Sequence, residues 1–386
     1  MKQSNALLKQ VVFHFKVAQA VEGAEKQGDF RSNLSGIAFV GKELWLADDE
    51  AVEATPSMER LSLQADGSFG EHQSQAIDSF VSLPVSTKDK GQVPETDTEG
   101  LSVDGDYLWL TGSHSLNRKQ PKTDKKESKN IERLATVEAG PNRFIVARIP
   151  LIAGAGGAKE LRKTNDKLTA ARLNGLDKDG LIEALRKDEH LGPFVPTGDA
   201  SAPGIPSKDN GLDIEGLAVS NGRIFLGLRG PVLRGWAVIL EIAVNESGKP
   251  GELTLKKVGS GAHPYIKHFV RLDGCGIRDL CVDGKDLLIL TGPSMALDGP
   301  ASVFCWKDAL ASPAASDSLT EADGTTLKKL IDIPVGSGGD HPEALAVYPM
   351  DDQKKKAVLV VYDSPLPARL KGETDYMADV FELPAN

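Results

Sequence analysis

Three glutamates occupy the same position in three copies of a short pattern, each ahead of a small residue and an apolar run. The copies read Glu99-Gly100-Leu101, Glu215-Gly216-Leu217 and Glu343-Ala344-Leu345. Carboxylate oxygens are the ligands that Ca²⁺ prefers, and the ion takes roughly six to eight of them. If the three side chains meet, they either share a divalent cation such as Ca²⁺ or raise one another's pKa until one keeps its proton. The sequence leaves open a third role, in which they accept backbone N–H groups of neighbouring strands and bind nothing.

Other polar residues recur at related positions and could complete a site. Ser35 and Arg278 stand where two further copies of the pattern would have the glutamate. A guanidinium group can bind a carboxylate or a phosphate through two parallel hydrogen bonds. His114 and His341 are the candidates for proton transfer, because histidine is the side chain that titrates near neutral pH. The residues predicted to bind a ligand are Arg229, Arg278, Asp48, Asp363 and Ser113.

Five copies of the pattern organise the chain and predict a repeat architecture. The equivalent positions are Gly36, Gly100, Gly216, Asp279 and Ala344. Three of the four gaps between them are 63–65 residues long, and the other is 116. Four of the five copies join two apolar strands by a turn such as Asn221-Gly222, a dipeptide typical of hairpins.

The repeats predict an all-β protein, because four antiparallel strands per repeat make one blade of a β-propeller. We expect one domain over residues 1–386 with five blades, or six if another blade lies in the long gap. The favoured interpretation of that gap is an insertion over residues 159–210, helical around residues 159–190, because Leu181, Ala184 and Leu185 fall at helical spacing. The last unit shows three strands, so the strand at residues 10–15 is expected to pair with it and close the ring.

The blade topology predicts where the polar residues meet. First and second strands are antiparallel, so each first strand begins where its second strand ends. Around a ring, these ends gather at one mouth of the central channel. The glutamates, arginines and histidines named above are therefore expected to line one polar mouth.

Composition and charge disfavour several classes of function. The 386 residues carry a formal net charge of −10, which disfavours nucleic-acid binding. No run approaches the ~20 apolar residues that a membrane helix needs. Three cysteines do not make a disulfide framework and no leader is recognisable, so the cytoplasm is the expected compartment. Phosphate-binding loops, serine-hydrolase elbows and zinc-protease motifs are missing from the sequence.

Two segments of the chain carry a resemblance to known proteins. They read Asp209-Asn210-Gly211-Leu212-Asp213-Ile214-Glu215-Gly216-Leu217-Ala218 and Gly227-Leu228-Arg229-Gly230-Pro231-Val232. Together with Asp97-Thr98-Glu99-Gly100-Leu101, they resemble a bacterial family catalogued as domain of unknown function 3616, over most of the chain. The Glu-Gly-Leu element alone is also similar to one in esterase-like phytase propellers. The resemblance implies a β-propeller and no defined activity, and Arg278-Asp279 departs from its Glu-Gly pattern.

Three functions follow from these expectations. The first is a cytoplasmic propeller that binds a small anionic or polar ligand, or a protein partner, at the polar mouth. The second is a metal-assisted hydrolase of phosphoester or ester bonds, in which the glutamates hold Ca²⁺, Arg229 binds the anionic group and His114 or His341 moves a proton. The third is an interaction scaffold. Apart from a divalent cation no cofactor is predicted, and neither nucleic acid nor membrane is expected as a partner.

Overall fold

The computed structural model is built almost entirely from β-strands. It describes residues 7–19, 28–50, 52, 55–86, 93–154, 158–174, 180–199, 201–350 and 355–384. The apolar runs of the sequence are short and rich in β-branched and aromatic residues, which favour a pleated backbone. Within the described residues, no helix has the length and apolar character needed to cross a membrane.

The first described strand, β1 (Leu7–His14), precedes a unit of four antiparallel strands. These strands pair in chain order, each with the one before it. Gly41 has a φ of 65° in the two-residue turn between the first two strands, a conformation that glycine adopts without steric penalty. The strands are β2 (Leu34–Val40), β3 (Glu43–Asp48), β4 (Ser57–Leu63) and β5 (Phe69–Ala76).

The second unit has the same antiparallel core, interrupted by an excursion. Its first three ladder strands pair in the order β6, β7, β10. Between the last two of these, β8 and β9 pair with each other on either side of a helix. The elements are β6 (Thr98–Asp104), β7 (Tyr107–Gly112), β8 (Leu116–Arg118), α1 (Glu127–Ala135), β9 (Val137–Ala139) and β10 (Ile145–Ala153).

The described residues of 159–190 form four short strands and one short helix, so the helix predicted there is wrong except for one short segment. The elements are β11 (Lys159–Leu161), β12 (Thr164–Asn165), β13 (Leu168–Thr169), β14 (Ala171–Asn174) and α2 (Leu181–Leu185). Both β11 and β14 pair with β10, which buries Leu161 and Leu173. This long-range pairing outweighs the local helix propensity of the segment. Asp177, the predicted cap of the helix, lies outside the described residues.

The third unit is joined to the second by its outer strands. The long strand β17 pairs with β19 over Trp236–Glu241 and with β18 over Ala243–Glu246. β18 also pairs in parallel with β14, which links the two units into one sheet. The strands are β15 (Asp213–Ser220), β16 (Arg223–Gly230), β17 (Trp236–Glu246), β18 (Glu252–Lys256) and β19 (Ile266–Arg271).

The fourth and fifth units repeat the antiparallel order. The ladder strands run β20-β21-β22-β24 and β25-β26-β28, while β23 adds to β19 in parallel and β27 pairs with β28. The fourth unit comprises β20 (Gly276–Asp283), β21 (Asp286–Gly292), β22 (Ala301–Trp306), β23 (Ser318–Thr320) and β24 (Leu327–Ile333). The fifth comprises β25 (His341–Tyr348), β26 (Lys356–Asp363), β27 (Leu370–Lys371) and β28 (Asp375–Leu383).

Strand β1 is the fourth strand of the fifth unit. It runs antiparallel to β28, with Val11 opposite Ala378. The ring of Phe13 is fully buried, stacks on Tyr376 and meets Phe69 of β5 edge-on. The strand therefore ties the fifth unit to the first as well as completing its sheet.

The buried apolar side chains of the described residues form five clusters, each between two neighbouring units. On β7, Leu108 and Leu110 pack towards the first unit, whereas Trp109 packs towards the third. One cluster joins Phe13 of the fifth unit to Leu46 of the first. Alternate residues of a strand point to opposite faces, so strands covered on both sides must be apolar at every position.

The first strands pack side by side in a closed cycle, β2 on β6, then β15, β20, β25 and β2 again. A Cβ added to Gly100 would lie 2.6 Å from the Cβ of Leu217, so the small residue of the repeated pattern is required by this close approach. At the equivalent position, the Asp279 carboxylate accepts backbone N–H groups of Leu280 and Leu345 at 2.7 and 2.9 Å. The backbone-binding role considered for the glutamates thus belongs to this aspartate. The arrangement is that of a β-propeller.

Candidate functional site

A β-bulge in each first strand takes one side chain out of the ladder. In β6, Thr98 pairs with Gly112 and Gly100 with Thr111, so Glu99 has no residue opposite it. A bulge leaves the extra residue unpaired and re-aims its side chain. In all five first strands, the residue at this position of the repeated pattern has no partner on the second strand. The bulged residues are Ser35, Glu99, Glu215, Arg278 and Glu343.

Three bulged residues belong to a buried chain of ion pairs at the mouth of the ring. Arg229 Nη1 donates to Glu215 Oε1 at 2.8 Å and lies 3.7 Å from Asp213 Oδ2. Arg278 Nη1 lies 3.2 Å from Glu215 Oε2 and 2.6 Å from Glu343 Oε1. Arg278 thus lies between two of the three glutamates that the sequence predicted as ligands of a divalent cation. Burial, then the charges of Glu215 and Asp363, raise the pKa of Glu343 to about 8 despite this contact.

The third glutamate belongs to a different group, the acidic cluster Asp49, Asp97 and Glu99. One carboxylate oxygen from each residue lies within 4.8 Å of the other two. Burial, then the charges of Asp97 and Glu215, hold the pKa of Glu99 well above its usual range. Burial and Asp97 do the same to the pKa of Asp49, whose Oδ1 is buried without a hydrogen-bond partner among the described residues. Within the cluster Asp97 has a cationic partner, Arg143, at 3.0 Å.

Two cavities open at this mouth and share part of their lining. The larger has a volume of about 310 Å³ and the smaller about 120 Å³. The acidic cluster lines the smaller cavity, whereas Met295, Leu297 and Val335 lie at the larger one. The two cavities are contiguous, because four side chains line both. The shared residues are Lys208, Arg229, Glu343 and Asp363.

The lining of the two cavities is strongly acidic. Ten carboxylates face four basic side chains, an excess of six negative charges when all are ionised. Such a surface attracts positive charge, or its carboxyl groups retain protons. The carboxylates are Asp49, Glu50, Glu95, Asp97, Glu99, Asp213, Glu215, Asp298, Glu343 and Asp363, and the basic residues are Arg143, Lys208, Arg229 and Arg278.

The two predicted histidines have different surroundings. His341 lines the larger cavity, and its Nε2 lies 3.3 Å from Asp298 Oδ1. His114 is fully buried, its Nδ1 lies 2.9 Å from the carbonyl oxygen of Gly112, and it lines neither cavity. Burial lowers the pKa of His114 to about 4, so this ring is neutral at physiological pH.

Two predicted ligand-binding residues lie beside the cavities without lining them. Ser113 is fully buried, and its Oγ lies 2.9 Å from Ser115 Oγ. Asp48 is buried in the ladder opposite Leu34, whereas the next residue, Asp49, lines the smaller cavity. Successive residues of a strand point in opposite directions, and the sequence did not show which of the two aspartates would face the mouth. The structure thus brings Arg229, Arg278, Asp363, His341 and the three glutamates to the cavities, but not Asp48, Ser113 or His114.

Some lining residues lie outside the repeated pattern, and sequence reasoning missed them. Arg143 is the last residue of a turn of 3₁₀ helix over Pro141–Arg143, at the end of the excursion of the second unit. Lys208 lies near the end of the predicted insertion, five residues before β15 begins at Asp213. Met295 and Leu297 come from the loop between β21 and β22. The one sequence signal among these four residues is the closeness of Met295 and Leu297 to the end of β21.

Comparison with solved structures finds distant similarity to several proteins. A GH43 β-1,3-galactosidase solved with galactodeoxynojirimycin shows 11% identity and a TM-score of 0.37, over 88% of this chain and 90% of that one. A Bombyx mori GH32 β-fructofuranosidase mutant solved with sucrose shows 12% identity and a TM-score of 0.38, over 96% of this chain and 62% of that one. An exo-1,5-α-L-arabinanase from a bovine ruminal metagenomic library shows 9% identity and a TM-score of 0.36, over 93% of this chain and 96% of that one. The chain therefore spans less than two thirds of the fructofuranosidase.

Family membership is established by sequence. Curated proteins provide no match to this chain. A family model described as "Protein of unknown function (DUF3616)" matches residues 33–379, which include all five bulged positions. The chain belongs to this family.

Proposed function

We propose that this protein binds a small polar ligand in the two contiguous cavities at the mouth of a five-bladed propeller. The observation that carries the proposal is the buried ion-pair chain of Arg229, Glu215, Arg278 and Glu343 on the cavity floor. Burying charges costs free energy that apolar residues of similar volume would not. The remaining contacts between units are largely apolar, so a polar floor under an open cavity favours a binding site over a purely structural role.

The dimensions of the site favour a small molecule over a protein partner. Ligand sites are typically concave, with volumes of about 300–1,000 Å³ and a few placed polar groups. The larger cavity reaches this range, and its floor offers two guanidinium groups held in place by carboxylates. The interaction scaffold predicted as an alternative needs no such cavity.

A second candidate function is a metal-assisted hydrolase of ester or phosphoester bonds. The acidic cluster favours it, because three carboxylates with oxygens within 4.8 Å of one another could contribute to a Ca²⁺ site. In this proposal Asp49, Asp97 and Glu99 hold the cation, which would polarise the scissile group and activate water. Arg229 would bind the anionic group, and His341 is the histidine placed to exchange protons with a substrate in the larger cavity.

We also infer a cytoplasmic location without nucleic-acid partners. Cys275, Cys281 and Cys305 are all free thiols, which suits a reducing compartment. The net charge of −10 opposes binding to a polyanion.

The ligand proposal is tested by screening sugars, amino acids, amines, carboxylates and sugar phosphates for thermal stabilisation, followed by calorimetric titration. Lys208→Met and Asp363→Asn change residues that line both cavities and have no ion pair among the described residues. We expect hits to lose at least fivefold in affinity in one or both variants. Lys285→Met, in the exposed β20–β21 turn, is the control. Hits that bind all variants equally, or the lack of any hit, would refute the proposal.

The hydrolase proposal is tested by elemental analysis of the purified protein and by melting it in Ca²⁺ and in EDTA. We expect Ca²⁺ to raise the melting temperature of the wild type and not that of Glu99→Gln. A metal-free protein whose melting temperature ignores both additives would remove this candidate and leave the ligand proposal intact.

A further inference from the structure

Resting on the proposed function, we propose that the ligand is an organic cation with an apolar body. Its N–H-bearing cationic group, an ammonium or a guanidinium, enters the smaller cavity beside Asp49 and Glu99. Its apolar body fills the larger cavity against Met295, Leu297 and Val335. The sequence predicted an anionic or polar ligand, and the contacts of the two arginines reverse the expected sign.

The ion pairs within the cavity lining indicate that the ligand is positively charged. Arg143, Arg229 and Arg278 already have carboxylate partners within 4 Å, so little of their positive charge is left for an incoming anion. Lys208 is the one basic residue of the lining with no ion pair in the described part of the chain. By contrast, several carboxylates lack a cationic partner there. These unpaired carboxylates include Asp49, Glu99 and Asp363.

One carboxylate oxygen of this set is itself unsatisfied. Oδ1 of Asp49 is buried and has no hydrogen-bond partner among the described residues, although the side chain lies at the surface of the cavity. A buried acceptor without a donor destabilises the folded state, because it has lost its hydrogen bonds to water. An ammonium or guanidinium N–H placed between Asp49 and Glu99 would supply the donor and the charge together.

The apolar part of the ligand is indicated by side chains that the fold leaves uncovered. Met295, Leu297 and Val335 are 45%, 53% and 40% exposed, and all three line the larger cavity. Single exposed apolar residues are ordinary, but several gathered at one concave site mark a binding surface. The β-bridge between Asp209 and Met295 ties this apolar wall to the segment that carries Lys208.

Alternative ligands explain only part of the site. A bare divalent cation would use the acidic cluster and leave the apolar wall without a partner. A quaternary ammonium is usually held by an aromatic cage, and no phenylalanine, tyrosine or tryptophan lines either cavity in the described residues. Carboxylate oxygens need N–H donors, which primary and secondary amines and guanidines provide.

The test compares four probes by NMR titration of the full chain in EDTA. 2-Phenylethylamine, 2-phenylethanol and phenylacetate share one apolar body and differ in charge, whereas ethylamine keeps the ammonium without the ring. We expect 2-phenylethylamine to bind at least tenfold more tightly than each of the others. Asp49→Asn should weaken its binding at least fivefold, and Leu297→Ser should weaken it without affecting ethylamine. Glu321→Gln, an exposed carboxylate away from the cavities, is the matched control.

Contrary outcomes separate the inference from the function on which it rests. If phenylacetate binds as tightly as 2-phenylethylamine and is lost in Lys208→Met, the ligand is anionic; the inference fails and the binding function stands. If 2-phenylethylamine binds Asp49→Asn and Leu297→Ser as well as wild type, the placement is wrong. If no probe binds, the inference fails, and the binding function fails with it only when the wider screen is also empty.

Discussion

The same substitution at two equivalent bulges should change stability in opposite directions. Glu99 and Glu215 occupy matching positions in β6 and β15. Glu99 faces other carboxylates and has no cationic partner among the described residues, whereas Glu215 is shared by Arg229 and Arg278. In metal-free protein we therefore expect Glu99→Gln to stabilise the fold and Glu215→Gln to destabilise it.

Coulomb's law sets the scale of the first effect. Two charges 4.8 Å apart repel by about 3.5 kcal/mol at an effective dielectric of 20 and by about 0.9 kcal/mol in bulk water. Because Asp97 is balanced by Arg143, we consider the repulsion from Asp49 alone and expect a gain of about 1–3 kcal/mol. With an unfolding entropy of about 2.1 cal/mol/K per residue over 386 residues, the melting temperature should rise by about 1–4 °C.

The second effect has the opposite sign and is larger. Removing the Glu215 charge leaves two buried guanidinium groups with one carboxylate fewer between them. Breaking a buried ion pair from one side costs about 3–5 kcal/mol. The paired variants thus differ by several kcal/mol, although both replace a glutamate by an amide of nearly the same shape.

Urea unfolding at pH 8 in EDTA, followed by tryptophan fluorescence, measures both effects. The gain from Glu99→Gln should shrink at pH 4, because its raised pKa keeps the wild-type carboxyl protonated in the folded state and the unfolded chain then also binds the proton. An unchanged or destabilised Glu99→Gln would refute the reasoning. A stable Glu215→Gln would refute the ion-pair account of the cavity floor.

Three further predictions concern other parts of the molecule. The pKa of Glu343 is raised to about 8, so the folded state binds more protons than the unfolded chain between about pH 4.5 and 8. The stability of the wild type should therefore fall as the pH rises through this window, and Glu343→Gln should reduce this pH dependence. Lys267 Nζ is buried 2.8 Å from Asp188 Oδ2, and Lys267→Met should cost about 3–5 kcal/mol by removing the lysine partner of that buried carboxylate, with partial recovery when Asp188→Asn is added. Phe13→Ala should cost about 3–5 kcal/mol, because the ring is fully buried between the fifth and first units.

Each of these measurements has a matched control by the same urea assay. Glu321→Gln should leave the pH slope unchanged, and a Glu343→Gln slope equal to wild type would contradict the assignment. Lys285→Met is the exposed counterpart of Lys267→Met, and equal stabilities would show that the buried network contributes nothing. Val17→Ala removes an exposed apolar group; a Phe13→Ala variant no less stable than this control would contradict the packing of β1.

Much of the fold follows from the repeated pattern because neighbouring units impose the same constraints on each first strand. The small residue after the glutamate is needed where first strands touch, as at Gly100. Trp109 and its neighbours are apolar on both faces because each face meets another unit. Local rules of this kind are visible in a single sequence.

The composition of the site was harder to predict, because it depends on contacts between distant segments. The sequence did not show that Arg278 would lie between Glu215 and Glu343, leaving Glu99 with Asp49. His114 lies two residues after the end of β7, and its own φ of 55° is a backbone conformation that the sequence did not predict. The segment after β10 was mistaken for helix, since β11 and β14 pair with β10, which lies outside that segment.

The pairing of β1 with β28 has a consequence for biosynthesis. His14 and Asp375, which contact each other in the finished sheet, are 361 positions apart. At about 5–20 residues per second, the ribosome makes β1 some 20–70 s before its partner exists. During that interval its unpaired backbone is open to other chains in the crowded cell. The polypeptide can complete this sheet only after β28 has been made, so nascent chains that stall before β28 would be especially prone to aggregate.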